Sequence, residues 1–454
     1  MPEVRLTTAP RSTRLLKAAV ISYLGLAAGF GSSVVASRTL GVEGKGIFSL
    51  FMVTVSGLWL VAALGVPQGQ LYHASKDPRW LTYFMKNGVL FSIVIGGVVG
   101  LGYFVGARSL GFGPVTALPL PTILAGIVAV PAGVLLMYQR QYFFALHRFE
   151  LAKASGALAL TLPLVSYVVL SIAGFATVPS FAVAFVLSLV LCFVVFQPVA
   201  RQVGPLSSGF SRDFARRSLS FGSRQYASAL ALYLMERVDV FIVLHYLGGR
   251  GLGIYSVAVA LAEITTRLSN EIGTILFPIF ASPTLKSGQA AAALRIVTLF
   301  AVCVAAILAV LSGPLVHLLF GPQFEGATPV FRWLLIGTVA WSTTHVTWSF
   351  LSASGRPELG TFGFGFATLV DVVLNMLLLP RWGVVGAGIA ATASYLTAAL
   401  LFLYFFRKAQ MCTLREALIP RGTDLLLLRR AVRGFWDRST RRVVEPLPSQ
   451  WPDE

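Results

Sequence analysis

Charge is scarce in this chain, and disulfide and metal-ligand patterns are absent from it. Only 12% of the 454 residues are charged, against roughly 25% in ordinary globular proteins, which excludes a water-facing surface over most of the length. The three cysteines form no disulfide framework: Cys192 and Cys303 fall inside apolar runs, and Cys412 lies in a basic tail. Five histidines are scattered without metal-ligand spacing, so no metal and no cofactor is expected. Polar and apolar residues do not alternate along the apolar runs, which argues against an outer-membrane barrel. Acidic residues number 18 against 36 basic ones. That excess invites a nucleic-acid reading, but the basic residues sit in alternate short loops and at the end of the chain. This is the positive-inside pattern of a membrane protein, and it also favours anionic lipid headgroups as partners over nucleic acid.

What is abundant is apolar sequence: 56% hydrophobic residues and a mean hydropathy of +0.77. In lipid the backbone must satisfy its own hydrogen bonds, which helices do and open sheets do not. Spans are expected at 15–37, 47–66, 86–106, 122–145, 153–173, 179–197, 219–246, 252–280, 292–312, 329–351, 359–379 and 386–406, each near the roughly 20 residues that cross the hydrocarbon. Arg5, Arg11, Arg14 and Lys17 before the first run resemble a signal peptide, but the run continues too far and reads as a retained span. With the N-terminus cytosolic, 28 of the 36 Lys and Arg fall inside, five outside and three (Arg237, Arg267, Arg332) within spans. Both termini are therefore expected in the cytosol, and no outer loop is long enough for a catalytic domain.

An internal repeat organises the spans. Leu40-Gly41-Val42-Glu43-Gly44-Lys45-Gly46-Ile47-Phe48-Ser49-Leu50 matches Leu247-Gly248-Gly249-Arg250-Gly251-Leu252-Gly253-Ile254-Tyr255-Ser256-Val257, 207 positions on. Arg148-Phe149-Glu150-Leu151 is echoed by Arg356-Pro357-Glu358-Leu359, 208 positions on. Two echoes at nearly one offset, each on the same side of the membrane, indicate a parallel duplication of six spans, packed about an axis along the membrane normal around a central cavity. The fold class expected is all-α and polytopic, with about twelve transmembrane helices in two parallel-repeat six-helix lobes. The units are a cytosolic N-terminus (1–14), a first lobe (15–197), a cytosolic inter-lobe loop (198–218), a second lobe (219–406) and a basic cytosolic tail (407–454). Within the tail, 411–442 alternates apolar and arginine-rich stretches, as a segment lying on anionic lipid does.

Val238-Asp239-Val240-Phe241-Ile242-Val243-Leu244, Leu247-Gly248 and Gly253-Ile254-Tyr255-Ser256-Val257-Ala258 resemble the seventh and eighth spans of lipid-linked oligosaccharide flippases, the O-antigen type. That family belongs to the multidrug/oligosaccharidyl-lipid/polysaccharide exporter superfamily. Asp371-Val372-Val373-Leu374-Asn375, Leu379-Pro380 and Gly383-Val384-Val385-Gly386-Ala387-Gly388-Ile389-Ala390 are similar to its connection between spans 11 and 12. Leu318-Leu319-Phe320-Gly321-Pro322-Gln323-Phe324 is similar to its segment between spans 9 and 10. With the duplication, the resemblance covers residues 15–406. It implies two six-helix lobes working by alternating access in a bacterial inner membrane. The implied cargo is a polyprenyl-pyrophosphate-linked oligosaccharide moved from the inner to the outer leaflet for polysaccharide export, including lipopolysaccharide or exopolysaccharide. Other polysaccharide-assembly proteins are candidate partners, and no enzymatic activity is expected. The tail finds no counterpart in the resemblance.

Ionisable residues within spans are the site candidates, because each is costly against lipid. Span 7 holds Glu236, Arg237 and Asp239; span 8 holds Glu263, Arg267 and Glu271 at four-residue spacing, with Asn270 beside them. Glu263 lies roughly 15 Å inward from the outer end of its span. One reading gives Arg237 and Arg267 to a pyrophosphate, and Asp239, Glu236, Glu263, Glu271 or Asp371 to a coupling proton or sodium ion. The other is a salt-bridge ladder pinning spans 7 and 8 together. The equivalents of Glu236, Arg237, Asp239, Glu263 and Arg267 in the first repeat are Gly29, Phe30, Ser32, Ser56 and Leu60. The charges are therefore no requirement of the fold. Trp341, His345 and Trp348, with the threonines of span 10, suit sugar rings but also suit plain interhelical packing. Asn375 shares a face with Asp371 and is a further substrate-binding candidate. Arg140, Arg148 and Arg224 read as snorkelling residues at the cytosolic mouth, and Pro131 and Pro163 as kinks.

Three other functions compete. A multidrug cation antiporter of the same superfamily predicts an acidic cavity. A membrane glycosyltransferase or polymerase needs a sizeable outer loop. A passive scaffold for a polysaccharide machine needs no charged cavity at all.

Overall fold

The computed structural model describes residues 11–109, 111, 116–203, 209–280, 288–356, 358–410 and 413–419. Among them every regular element is helical: α1 (Arg11–Ala63), α2 (Val66–Lys76), α3 (Leu81–Phe91), α4 (Gly97–Ser109), α5 (Leu120–Ala145), α6 (Phe149–Ile172), α7 (Val178–Val203), α8 (Arg212–Phe280), α9 (Gln289–Phe320), α10 (Ala327–Ala353), α11 (Glu358–Gln410) and α12 (Leu414–Leu418). A π turn at Ser92–Gly96 makes α3 and α4 one continuous rod. The Arg224, Asn270 and Glu271 side chains and the tail from 420 onward lie outside the described residues.

All twelve expected spans fall within these helices to a few residues. Seven helical stretches are apolar and long enough to cross a membrane. Two of the seven, in α1 and α11, are broken at Gly41 and Gly383 and hold two spans each. The expected spans in α8 and α10 are not among the seven. α8 carries the charge cluster, and α10 is rich in buried hydroxyls (Thr338, Ser342, Thr343, Thr344, Thr347) that bond back to carbonyls of their own helix. The less apolar helices are the ones turned inward. Large apolar side chains such as Val98, Leu101, Leu187, Leu318 and Leu400 cover the outside, as a lipid-facing surface requires.

The two copies of the repeat adopt one backbone. Gly41 (φ 69°, ψ −175°) and Gly248 (φ 65°, ψ −170°) interrupt α1 and α8 at equivalent places, in a conformation that L side chains avoid. Each break lets one long helix double back. The copies also pack on each other: a Cβ added at Gly46 would meet the backbone of Gly249 and Gly253, and one at Gly253 would meet the Val42 carbonyl. At the far end of the same helices Gly65 meets Gly222 backbone to backbone. Small residues allow this close approach of helices. Between the two crossings the Tyr233 hydroxyl donates to the Val53 carbonyl and lies 2.9 Å from Ser56 Oγ. Arg38 reaches from α1 to the terminal carbonyls of α9, donating to Leu319 O (2.8 Å) and Leu318 O.

Pro131 and Pro163 sit inside α5 and α6, which run on past them. α11 runs to Gln410, and α12 packs on α9, with Ala417 fully buried and Arg295 donating to the Glu416 carbonyl.

Candidate functional site

The break at Gly248 brings the two halves of α8 side by side, and their charges meet. Arg237 Nη2 donates to Glu263 Oε1 at 2.5 Å; Arg267 Nη2 donates to Glu263 Oε2 at 2.7 Å, with Nε at 3.3 Å. Both arginines thus bridge to one carboxylate. About a quarter of the Arg237 and Glu263 side chains and half of Arg267 remain exposed. The trio therefore faces open space as well as protein.

That space is two cavities on either side of the trio. The larger, about 650 Å³, lies between α1, α6 and α8. Its wall holds Lys45, Arg237 and Arg267 against the single carboxylate of Glu263, among apolar residues including Phe30, Met52 and Ile264. The smaller, about 150 Å³, lies among α8, α10 and α11. It shares Arg237, Glu263 and Arg267 but adds Glu236 and Asp239, so carboxylates outnumber arginines there three to two. One salt-bridged trio separates a cation-rich chamber from an acid-rich one.

Asp239 is buried behind the smaller chamber, with Oδ1 accepting from the Val240 N–H (2.7 Å) and Oδ2 from the Tyr255 hydroxyl. Asp371 lies on α11. It is fully buried, and neither of its oxygens accepts a hydrogen bond from a described residue. Asn375 Nδ2 donates to the Asp371 backbone carbonyl (2.9 Å), and its Oδ1 is likewise unpartnered. Groups this deeply buried normally have partners, and these oxygens have none among the described residues.

The remaining candidates divide. Trp341 lines the smaller cavity. His345 and Trp348 line neither cavity; they form an aromatic ladder with Trp341 and Phe364 between α10 and α11. Arg140 is half-buried beside Gly156, away from both chambers.

Lys45 is the cavity residue that the sequence alone does not reveal. It sits in a glycine-rich stretch that reads as an outer loop, yet α1 continues through it and only Gly41 breaks the helix. The side chain is 6% exposed and donates to Ser33 Oγ at 2.9 Å. Tyr255, Tyr395 and Thr338 line the smaller chamber with equally little local signal.

Residues 35–329, well over half of the chain, match the family described as polysaccharide biosynthesis protein. The chain belongs to that family. The chain is 23% identical over 198 residues to the probable low-salt glycan biosynthesis flippase Agl15 of Haloferax volcanii. The match covers 42% of this chain and 42% of that relative, so less than half of either is shared. Among solved structures, the lipid II flippase MurJ in an inward closed conformation superposes with a TM-score of 0.71 at 12% identity, covering 95% of this chain and 94% of that one. An inward-facing multidrug resistance MATE family transporter of the MOP superfamily superposes with a TM-score of 0.68 at 15% identity, covering 88% and 98%. These likenesses establish the fold: an all-α polytopic membrane protein of this architecture.

Proposed function

We propose that the protein is a flippase that moves a polyprenyl-pyrophosphate-linked oligosaccharide from the cytosolic to the outer leaflet of a bacterial inner membrane, by alternating access of two six-helix lobes. The observation that carries this reading is the cation excess of the larger cavity, three cations facing one carboxylate across α1 and α8. A pyrophosphate entering hydrocarbon needs fixed cations, and guanidinium groups hold phosphate oxygens well. The apolar walls on α1 and α6 suit the isoprenoid chain. Agl15, a glycan biosynthesis flippase by its description, supports the saccharide class. A cation-exporting antiporter needs an excess of acid where this cavity has an excess of base, and only the smaller chamber has more acid than base.

In this reading Arg237 and Arg267 engage the pyrophosphate, and Asp239, Glu236 and Glu263 in the acid-rich chamber, with Asp371 buried on α11, carry a coupling proton or sodium ion. Because Glu263 belongs to both chambers, a cation entering one weakens its hold on the arginines of the other. Trp341, which lines the smaller cavity, remains a proposed substrate contact, while His345, Trp348 and Asn375 line neither cavity and would support it from behind; Glu271 is a further coupling candidate. The lysine and arginine distribution supports a cytosolic placement of both termini. Deleting the gene in its host should strip the surface polysaccharide and leave its lipid-linked precursor on the cytosolic leaflet. Intact export together with a new sensitivity to cationic drugs would favour the antiporter instead.

A further inference from the structure

Lys45 has an environment that its place in the fold does not explain. Gly41 turns α1 back on itself, so Lys45 comes to face Ser33, twelve positions earlier. The ammonium lines the larger cavity, is 6% exposed, and makes one hydrogen bond, to a neutral hydroxyl. It has no ion pair among the described residues. An ammonium carries three donors, and an isolated buried charge is costly unless it is paired.

The other copy of the repeat provides an internal control. Its Gly248 has the same backbone as Gly41, but the position equivalent to Lys45 is Leu252, also fully buried. The turn therefore forms without a charge at this place, and the lysine serves something other than the turn. Arg237 and Arg267, on the same cavity wall, are both held by Glu263. Lys45 is the cation there that makes no ion pair with a described carboxylate, and it projects from α1 whereas the arginines project from α8.

We propose that Lys45 is an anion-binding residue of this cavity, taking a phosphate oxygen of an isoprenoid-linked pyrophosphate and so tying α1 to α8 through the bound head. This rests on the flippase reading above and adds a residue from the first copy of the repeat. With the anion seated, the ammonium gains charge-assisted hydrogen bonds that Ser33 alone does not supply.

The test uses the purified full-length protein in detergent, with farnesyl pyrophosphate as probe and farnesol as the neutral control. Binding is read by native mass spectrometry and thermal stabilisation. The wild type should bind farnesyl pyrophosphate and discriminate against farnesol. Lys45→Met keeps the length and removes the charge, and should weaken binding roughly tenfold or more, while Lys45→Arg should retain it. If Lys45→Met folds and binds as the wild type does, the assignment of Lys45 is wrong and the flippase reading stands. If the wild type does not discriminate the pyrophosphate from farnesol, both fall. If Lys45→Met fails to fold while Lys45→Arg folds, the ammonium has a structural role, and the proposal is overturned.

Discussion

Arg237 and Glu263 stand 26 positions apart on one helix, yet Nη2 of the first lies 2.5 Å from Oε1 of the second. The break at Gly248 makes that contact possible. Because Arg267 holds the other oxygen of the same carboxylate, Glu263 is the hub of the wall between the two cavities.

Removing a spoke and removing the hub should therefore differ. Arg267→Ala leaves Glu263 paired with Arg237, and half of the Arg267 side chain is exposed. It should cost at most about 1 kcal/mol of stability and yet abolish export. Glu263→Gln strands two guanidinium groups and should cost about 2 kcal/mol or more. Thermal unfolding in detergent, set beside export for each variant, separates the two. The charge swap Glu263→Arg with Arg267→Glu should not rescue, because it sets an arginine against Arg237.

Asp371→Asn removes a buried carboxylate whose oxygens accept no hydrogen bond from a described residue. The folded protein should keep or gain stability, since no partner is stranded, while transport loses its dependence on an ion gradient. Transport measured with and without imposed sodium and proton gradients checks this; unchanged ion dependence would take Asp371 out of coupling.

At Gly46 even one methyl group collides with the backbone of Gly249 and Gly253. Gly46→Ala should destabilise by about 1–3 kcal/mol. Gly97, in α4, meets nothing within 4 Å, and Gly97→Ala should instead stabilise by about 0.5–1 kcal/mol. Melting temperatures of the two variants with opposite signs would establish that the crossing of the repeats, and not helix propensity, sets the outcome.

Much of this was legible in the sequence. Apolar run length located the helices, and the echo around Gly41 and Gly248 identified positions that share one backbone. Charges inside spans pointed to α8 because lipid leaves them nowhere else to be. Lys45 was not legible, since a lysine between glycines looks like a loop residue until the doubling-back of α1 sets it against Ser33. Nor was the fate of span 10: aromatic and hydroxyl side chains serve packing and sugar binding alike, and only tertiary contacts put Trp341 on the cavity and His345 and Trp348 in a ladder.

The end of α11 bears on truncation. Deleting from residue 420 leaves Ala417 in its buried site and the Glu416 carbonyl opposite Arg295, whereas deleting from 411 removes both. The shorter deletion should leave the melting temperature unchanged and the longer one should lower it, as read by fluorescence-detected size exclusion after heating.

The sign of the larger cavity is the centre of the account, and translocation in proteoliposomes tests it most directly. Purified protein is reconstituted with a fluorescent polyprenyl-pyrophosphate oligosaccharide on one leaflet, in parallel with vesicles containing a cationic dye. Wild-type protein should flip the anionic lipid and ignore the dye, and Arg267→Ala should do neither while remaining folded. Dye transport by the wild type without movement of the pyrophosphate lipid would contradict the assignment.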